Sequence, residues 1–168
     1  GIKANLCNAG MSFDPAHYDF ETANETRETR EALTNWHMAD GGRIRIEAGV
    51  HAEYTSFPAL WRAEADFAQE HGLQMHLHLS ETQKEHQECL ARWDKTPTQV
   101  LAEYGVFDAR TTAAHGVWLT QPDMELLAEK GAAVAHNPVS NLKLASGVAP
   151  VTKMLEKGVA VALGTDGM

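Results

Sequence analysis

Leu73-Gln-Met-His-Leu-His-Leu-Ser-Glu81 is a short apolar run that closes on two histidines and a carboxylate. In a β-strand residues i and i+2 share a face, so His76 and His78 point one way while Met75, Leu77 and Leu79 point the other. Two covered faces suit a parallel strand of an α/β fold, with helices packed outside and the other face looking into a barrel or sheet crevice. Glu81 falls just past the strand. Chemistry in such folds gathers at the carboxyl ends of strands, where a histidine with a carboxylate three residues on serves a metal and a proton transfer. Taken alone, the pair also fits two hydrogen-bonded core histidines, and only its context decides.

That context is βα repetition. Strands are expected at Ile2–Cys7, Arg43–Val50, Leu73–Leu79, Thr111–Gly116, Ala132–His136 and Val159–Gly164. Helices are expected at Glu21–Met38 and Ala59–His71, as two short pieces within Gln83–Tyr104 with Thr96 capping the second ahead of Pro97, and at Gln121–Lys130 and Pro150–Lys157. The choice lies between a doubly wound sheet and a (β/α)8 barrel. No GxGxxG or P-loop follows any strand, whereas His51, His78, Glu81, His115, His136 and Asp166 all fall at or just past strand ends. Each has an ordinary explanation singly, as a loop histidine, a core histidine or, for Asp166 in Gly-Thr-Asp-Gly, a turn former. Their shared placement favours one mouth that gathers them.

Composition narrows the function classes. The 168 residues are 43% hydrophobic and 22% charged, the balance of a folded globular chain. A formal charge of -9 argues against nucleic acid as a partner, because phosphate binding needs clustered positive charge. Cys7 and Cys89 show no CxxC spacing, so neither a disulfide framework nor a thiolate zinc site is expected, and a reducing cytoplasm fits. No apolar run approaches the ~20 residues of a membrane span, and the first residues carry no signal-peptide pattern.

Met75-His-Leu-His-Leu-Ser-Glu-Thr82, Ala114-His-Gly116, His136-Asn-Pro-Val-Ser-Asn-Leu-Lys-Leu-Ala-Ser-Gly147 and Leu163-Gly-Thr-Asp-Gly167 together resemble the amidohydrolase superfamily, in its nucleoside and nucleobase deaminase and chlorohydrolase branch. The Asn-Leu-Lys-Leu-Ala-Ser-Gly wording is most similar to 5-methylthioadenosine/S-adenosylhomocysteine deaminases. The resemblance implies an α/β fold, a (β/α)8 barrel of the metal-dependent hydrolase kind, of which residues 1–168 form one partial domain covering about strands three to eight. A complete barrel takes ~250 residues, which agrees with an incomplete one.

Carried over residue by residue, the resemblance makes His78 and Asp166 metal ligands, Glu81 and His115 catalytic together with Asp166, and His51 and Glu81 contacts to the substrate. One divalent ion is implied, zinc with iron as the alternative, and two further histidine ligands are expected outside this chain. The implied reaction is hydrolytic deamination of an adenosine-type nucleoside with release of ammonia. Guanine deaminase, triazine-type chlorohydrolase and a non-catalytic ligand-binding paralogue are the alternatives. The implied partners are a small nucleoside or heterocyclic amine and, at full length, further copies of the chain, with no nucleic acid or membrane. His76 is expected one layer deeper, off the site, and Asn141 and Gly147 as shapers of the loop after the seventh strand. One departure is plain: the family's Ser-Arg-Gly after the third strand reads Cys7-Asn-Ala-Gly10 here. With two first-sphere ligands of its own, the segment 1–168 alone is expected to be inactive and to hold metal weakly; elemental analysis and ammonia release from adenosine derivatives check this, and one tightly held ion per chain with steady turnover contradicts it.

Overall fold

The computed structural model describes residues 1–167. Strands β1 (Ala4–Cys7), β2 (Ile44–Gly49), β3 (Met75–Leu79), β4 (Thr111–His115), β5 (Ala133–His136) and β6 (Ala160–Leu163) form one sheet in sequence order. Every neighbouring pair is parallel. Each strand lies within the stretch expected from sequence, a residue or two shorter. The sheet curls as a part-barrel wall, and because parallel strands require crossovers, all six carboxyl ends open on one rim.

The connections carry α1 (Asn24–Trp36), a single turn α2 (Ala39–Gly42), α3 (Pro58–His71), α4 (Gln83–Trp93), α5 (Pro97–Glu103), α6 (Gln121–Glu129), α7 (Pro138–Lys143) and α8 (Val151–Glu156). Pro58 opens α3 with its φ preset, and Gly72 closes it at φ 64, a left-handed cap that costs glycine little. Leu60, Trp61, Ala65 and Ala68 of α3 are buried. They form one helical stripe, in a single core cluster with Met75, Leu77 and Leu79 of β3. Burying a leucine of this kind stabilises the fold by roughly 1.5–3 kcal/mol. Helices α4, α5 and α6 each begin with a reciprocal capping box, Thr82 with Glu85, Thr96 with Gln99 and Thr120 with Asp123. The Thr96 hydroxyl also donates to the Asp123 carboxylate, tying the starts of α5 and α6 together.

Two segments differ from expectation. Pro138–Lys143, whose Pro-Val-Ser-Asn reads as turn chemistry, is helical, since proline at a first helical position lacks only an N–H that would have no partner there. In α2, Asp40 and Gly41 sit at φ 52 and 69, a left-handed return into β2 that no apolar periodicity announces. The cysteines are free, as expected. No helix among the described residues is long and apolar enough to cross a membrane.

One core group weakens the fold progressively as pH rises above about 4.5. Glu64 of α3 is 3% exposed, and its Oε2 accepts from the Gly49 N–H at a long 3.4 Å. Burial pushes its carboxyl up to about 8; the Gly49 contact offsets this in part and nearby Glu25 adds to it. The folded chain thus keeps a proton that the unfolded chain releases above the ordinary value of 4.5, so stability is full below that value and is lost as pH rises toward about 8. The loss accumulates at about 1.4 kcal/mol per pH unit across that window. Glu64→Gln, neutral at all pH, is expected to melt near wild type at pH 5 and well above it at pH 8 in thermal scans of the full-length protein.

Candidate active site

The rim is assembled strand by strand. Past β2, His51 Nδ1 lies 3.0 Å from Thr55 Oγ1, in a 3₁₀ turn over Glu53–Thr55. That turn is fastened from outside: Glu53, 2% exposed, accepts from Arg92 Nη2 at 2.6 Å and Trp93 Nε1 at 2.9 Å, both at the end of α4. The His51 carbonyl reaches the next strand, accepting from the His78 backbone N–H at 2.9 Å and from His78 Nδ1 at 2.7 Å. A carbonyl only accepts, so His78 Nδ1 carries the proton and Nε2 is left with its lone pair. The His51 and His78 rings are 4.7 Å apart, and the His115 ring stacks on His78 at 5.4 Å. Burial and the neighbouring His78 push the His51 imidazole down, with Glu81 opposing.

After β3 the chain turns sharply at Ser80, φ 48. Glu85, the N3 residue of α4, grips this turn: Oε1 accepts from the Ser80 N–H at 2.8 Å, and Oε2 from the Glu81 N–H at 2.7 Å and more weakly from that of Thr82 at 3.4 Å. Burial pushes the Glu85 carboxyl up to about 7 against these N–H donors. The result presents Glu81 Oε2 at 3.9 Å from His115 Nε2. His115 closes β4 at φ 77, a region non-glycine residues seldom enter, and is 1% exposed with Nδ1 2.8 Å from Asn141 Oδ1. Asp166, beyond β6, is at φ 57; its Oδ2 accepts from Ser140 Oγ at 2.6 Å and its Oδ1 from the Gly167 N–H at 2.7 Å. The Ser140 hydrogen bond, then that of Gly167, holds its carboxyl below the usual range; burial opposes this, and His115 and His78 contribute further. Three rim residues, Ser80, His115 and Asp166, therefore have left-handed backbone, a pattern that concentrates at functional sites.

The structure thus brings His51, His78, Glu81 and His115 into one contiguous group, with Asp166 at the same rim within the field of both His78 and His115. His76 lies below it, Nδ1 3.7 Å from Glu47 Oε2, while Asn5 Nδ2 donates to Glu47 Oε1 at 2.7 Å. Arg27 and Arg30 pair with Asn24 and Glu21 on the solvated side of α1. Sequence reading missed Glu85, Ser140 and Asn141 as partners of site residues. The Thr-x-x-Glu spacing of Thr82 and Glu85 is the signal that could have found the first; nothing local marks the other two.

The donor types suit a divalent transition-metal ion: a bare imidazole Nε2 on His78, oriented by a carbonyl behind it, and an ionised carboxylate on Asp166. Among the described residues no three histidine, cysteine or acidic side chains group closely enough to hold an ion unaided.

The Amidohydrolase family model matches residues 2–168. The chain belongs to the amidohydrolase family. A 5-methylthioadenosine/S-adenosylhomocysteine deaminase of Dictyoglomus thermophilum is 51% identical over 167 residues, 99% of this chain and 38% of the relative. A 5'-deoxyadenosine deaminase of Methanosphaera stadtmanae is 39% identical over 150 residues, covering 89% of this chain and 35% of its own length. The crystal structure of an adenosine deaminase from Xanthomonas campestris with bound zinc superposes with a TM-score of 0.86 at 31% identity, over 98% of this chain and 37% of that one. The chain spans a little over a third of the length of these amidohydrolases.

Because one carboxylate holds the Ser80 and Glu81 amides, Glu85→Ala is expected to speed their hydrogen exchange at least about tenfold while the β3 amides stay protected. Exchange mass spectrometry of the full-length protein checks this; unchanged exchange at the turn contradicts it.

Proposed function

We propose that the full-length protein is a metal-dependent hydrolytic deaminase of an adenosine-type nucleoside bearing a modified 5' position. The observation that carries the reading is the approach of Glu81 Oε2 to within 3.9 Å of His115 Nε2, beside the bare Nε2 of His78. Support for the substrate class comes from the deaminases of 5-methylthioadenosine/S-adenosylhomocysteine and of 5'-deoxyadenosine to which the chain is similar. The zinc in the similar adenosine deaminase supports the metal, for which iron is the alternative.

In this reading His78 and Asp166 hold the ion, together with ligands from outside the chain. A bound divalent ion lowers the pKa of water from about 15.7 toward ~7, making hydroxide accessible at neutral pH. Deamination of a purine then needs a proton delivered to the ring nitrogen beside the attacked carbon, and a second to the departing amine. Glu81 performs both transfers. It is ionisable, its backbone is fixed by Glu85, and it is no ligand, so its proton is free to move. His115 orients the attacking water, facing it with Nε2. His51 contacts the purine through its ring, while its carbonyl serves His78. Net, a carbon–oxygen bond forms, the carbon–nitrogen bond breaks and ammonia leaves; both protons that Glu81 passes on, one to the ring nitrogen and one to the amine, come from the attacking water.

The roles of Glu81 and His78 separate by experiment. Glu81→Gln is expected to lower kcat by at least about 100-fold with metal content near wild type, whereas His78→Ala loses the metal as well. Ammonia release from 5-methylthioadenosine, S-adenosylhomocysteine, 5'-deoxyadenosine, guanine and a chlorotriazine, with elemental analysis of each variant, makes the test. Metal loss in Glu81→Gln overturns the division of roles, and turnover of guanine or chlorotriazine alone overturns the substrate class.

A further inference from the structure

The side chain of Asn141 is spent on one partner. The residue is 1% exposed, its Oδ1 lies 2.8 Å from His115 Nδ1, and its Nδ2 is buried with no hydrogen-bond partner. Leaving a buried donor idle costs about 1–3 kcal/mol, so this amide is not placed for stability. Its backbone is fixed on both sides: Asn141 N–H donates to the Asn137 carbonyl at 2.9 Å, and its own carbonyl accepts from the Ser146 N–H at 2.8 Å. The loop is fixed as well from the turn after β4, where Trp118 Nε1 donates to the Ser146 carbonyl at 2.8 Å and Trp118 N–H to the Ser80 carbonyl at 2.9 Å. Next to Asn141 in α7, Ser140 holds Asp166. One helical turn therefore touches rim groups from two different strands.

Resting on the deaminase reading above, we propose that Asn141 is a positioning residue that fixes His115 as the Nδ1–H tautomer and aims its bare Nε2 toward Glu81. An amide oxygen only accepts, so the proton must sit on Nδ1. The consequence lies at the other nitrogen. A protonated Nε2, 3.9 Å from Glu81 Oε2, would donate to that carboxylate and draw it away from substrate. A bare Nε2 instead accepts a hydrogen bond from the attacking water and leaves Glu81 to the purine nitrogen. Asn141 thus acts through His115 alone and touches no reacting atom.

Two measurements test this in the full-length, metal-loaded protein. Spectra with ring-15N-labelled histidine, His115 being assigned by its loss in His115→Asn, are expected to show a protonated Nδ1 and a bare Nε2 in wild type and a mixture of tautomers in Asn141→Ala. A protonated Nε2 in wild type overturns the proposal without any variant. In kinetics, Asn141→Ala is expected to lower kcat about 30-fold with KM within about threefold and metal content unchanged, and to add less than about twofold in the His115→Asn background. Losses that multiply in the double variant overturn it, because Asn141 then acts on something other than His115. If wild type deaminates no substrate, the activity reading fails, and the spectra still decide the tautomer.

Discussion

The fixed parity of β3 is the constraint from which the rim follows. Met75, Leu77 and Leu79 are almost wholly buried. Slipping the register by one residue would turn all three into the lumen and both histidines into the apolar layer under α3. The hydrophobic effect thus aims His78 from the opposite face of the strand. Parallel pairing then carries this register to the neighbours, where His78 sits beside Ala114 in the ladder and Leu79 beside His115.

Parity alone does not finish the site. His115 pairs with Leu79, a residue of the outward face, yet its ring stacks on that of His78. The left-handed φ of His115 accounts for the exchange of faces, and Asn141 waits at the far side of the ring to receive it. Ser80 makes a comparable break before Glu81, and there the compensation is the Glu85 carboxylate. At these two strand ends the left-handed backbone is matched by a buried side chain from a later helix, Glu85 of α4 and Asn141 of α7, which is how loops at the rim become as well determined as the sheet beneath them.

Much of this was legible in the sequence, and the limits have physical causes. The six strands could be read because parallel strands are short apolar runs, and the glycine and proline punctuation around α5, α6 and α8 fixed where helices had to stop. The rim residues could be read because they recur at strand ends. Hidden were interactions that depend on distance in space and not along the chain. Asn141 lies 26 residues from His115, and its amide looks like any loop asparagine until the fold closes. The left-handed positions were equally silent: serine, histidine and aspartate adopt them here under tertiary compulsion, where glycine would have announced them. The helix α7 hid behind residues that favour turns, because proline, serine and asparagine are welcome at a helix start too.

The His51 carbonyl divides labour within a single residue. It is the backbone that fixes the tautomer of His78, and every amino acid possesses that backbone oxygen. The imidazole of His51 is bonded to Thr55 within its own loop and faces the His78 ring at 4.7 Å. Replacing the side chain at position 51 therefore leaves in place the acceptor that holds the proton on His78 Nδ1.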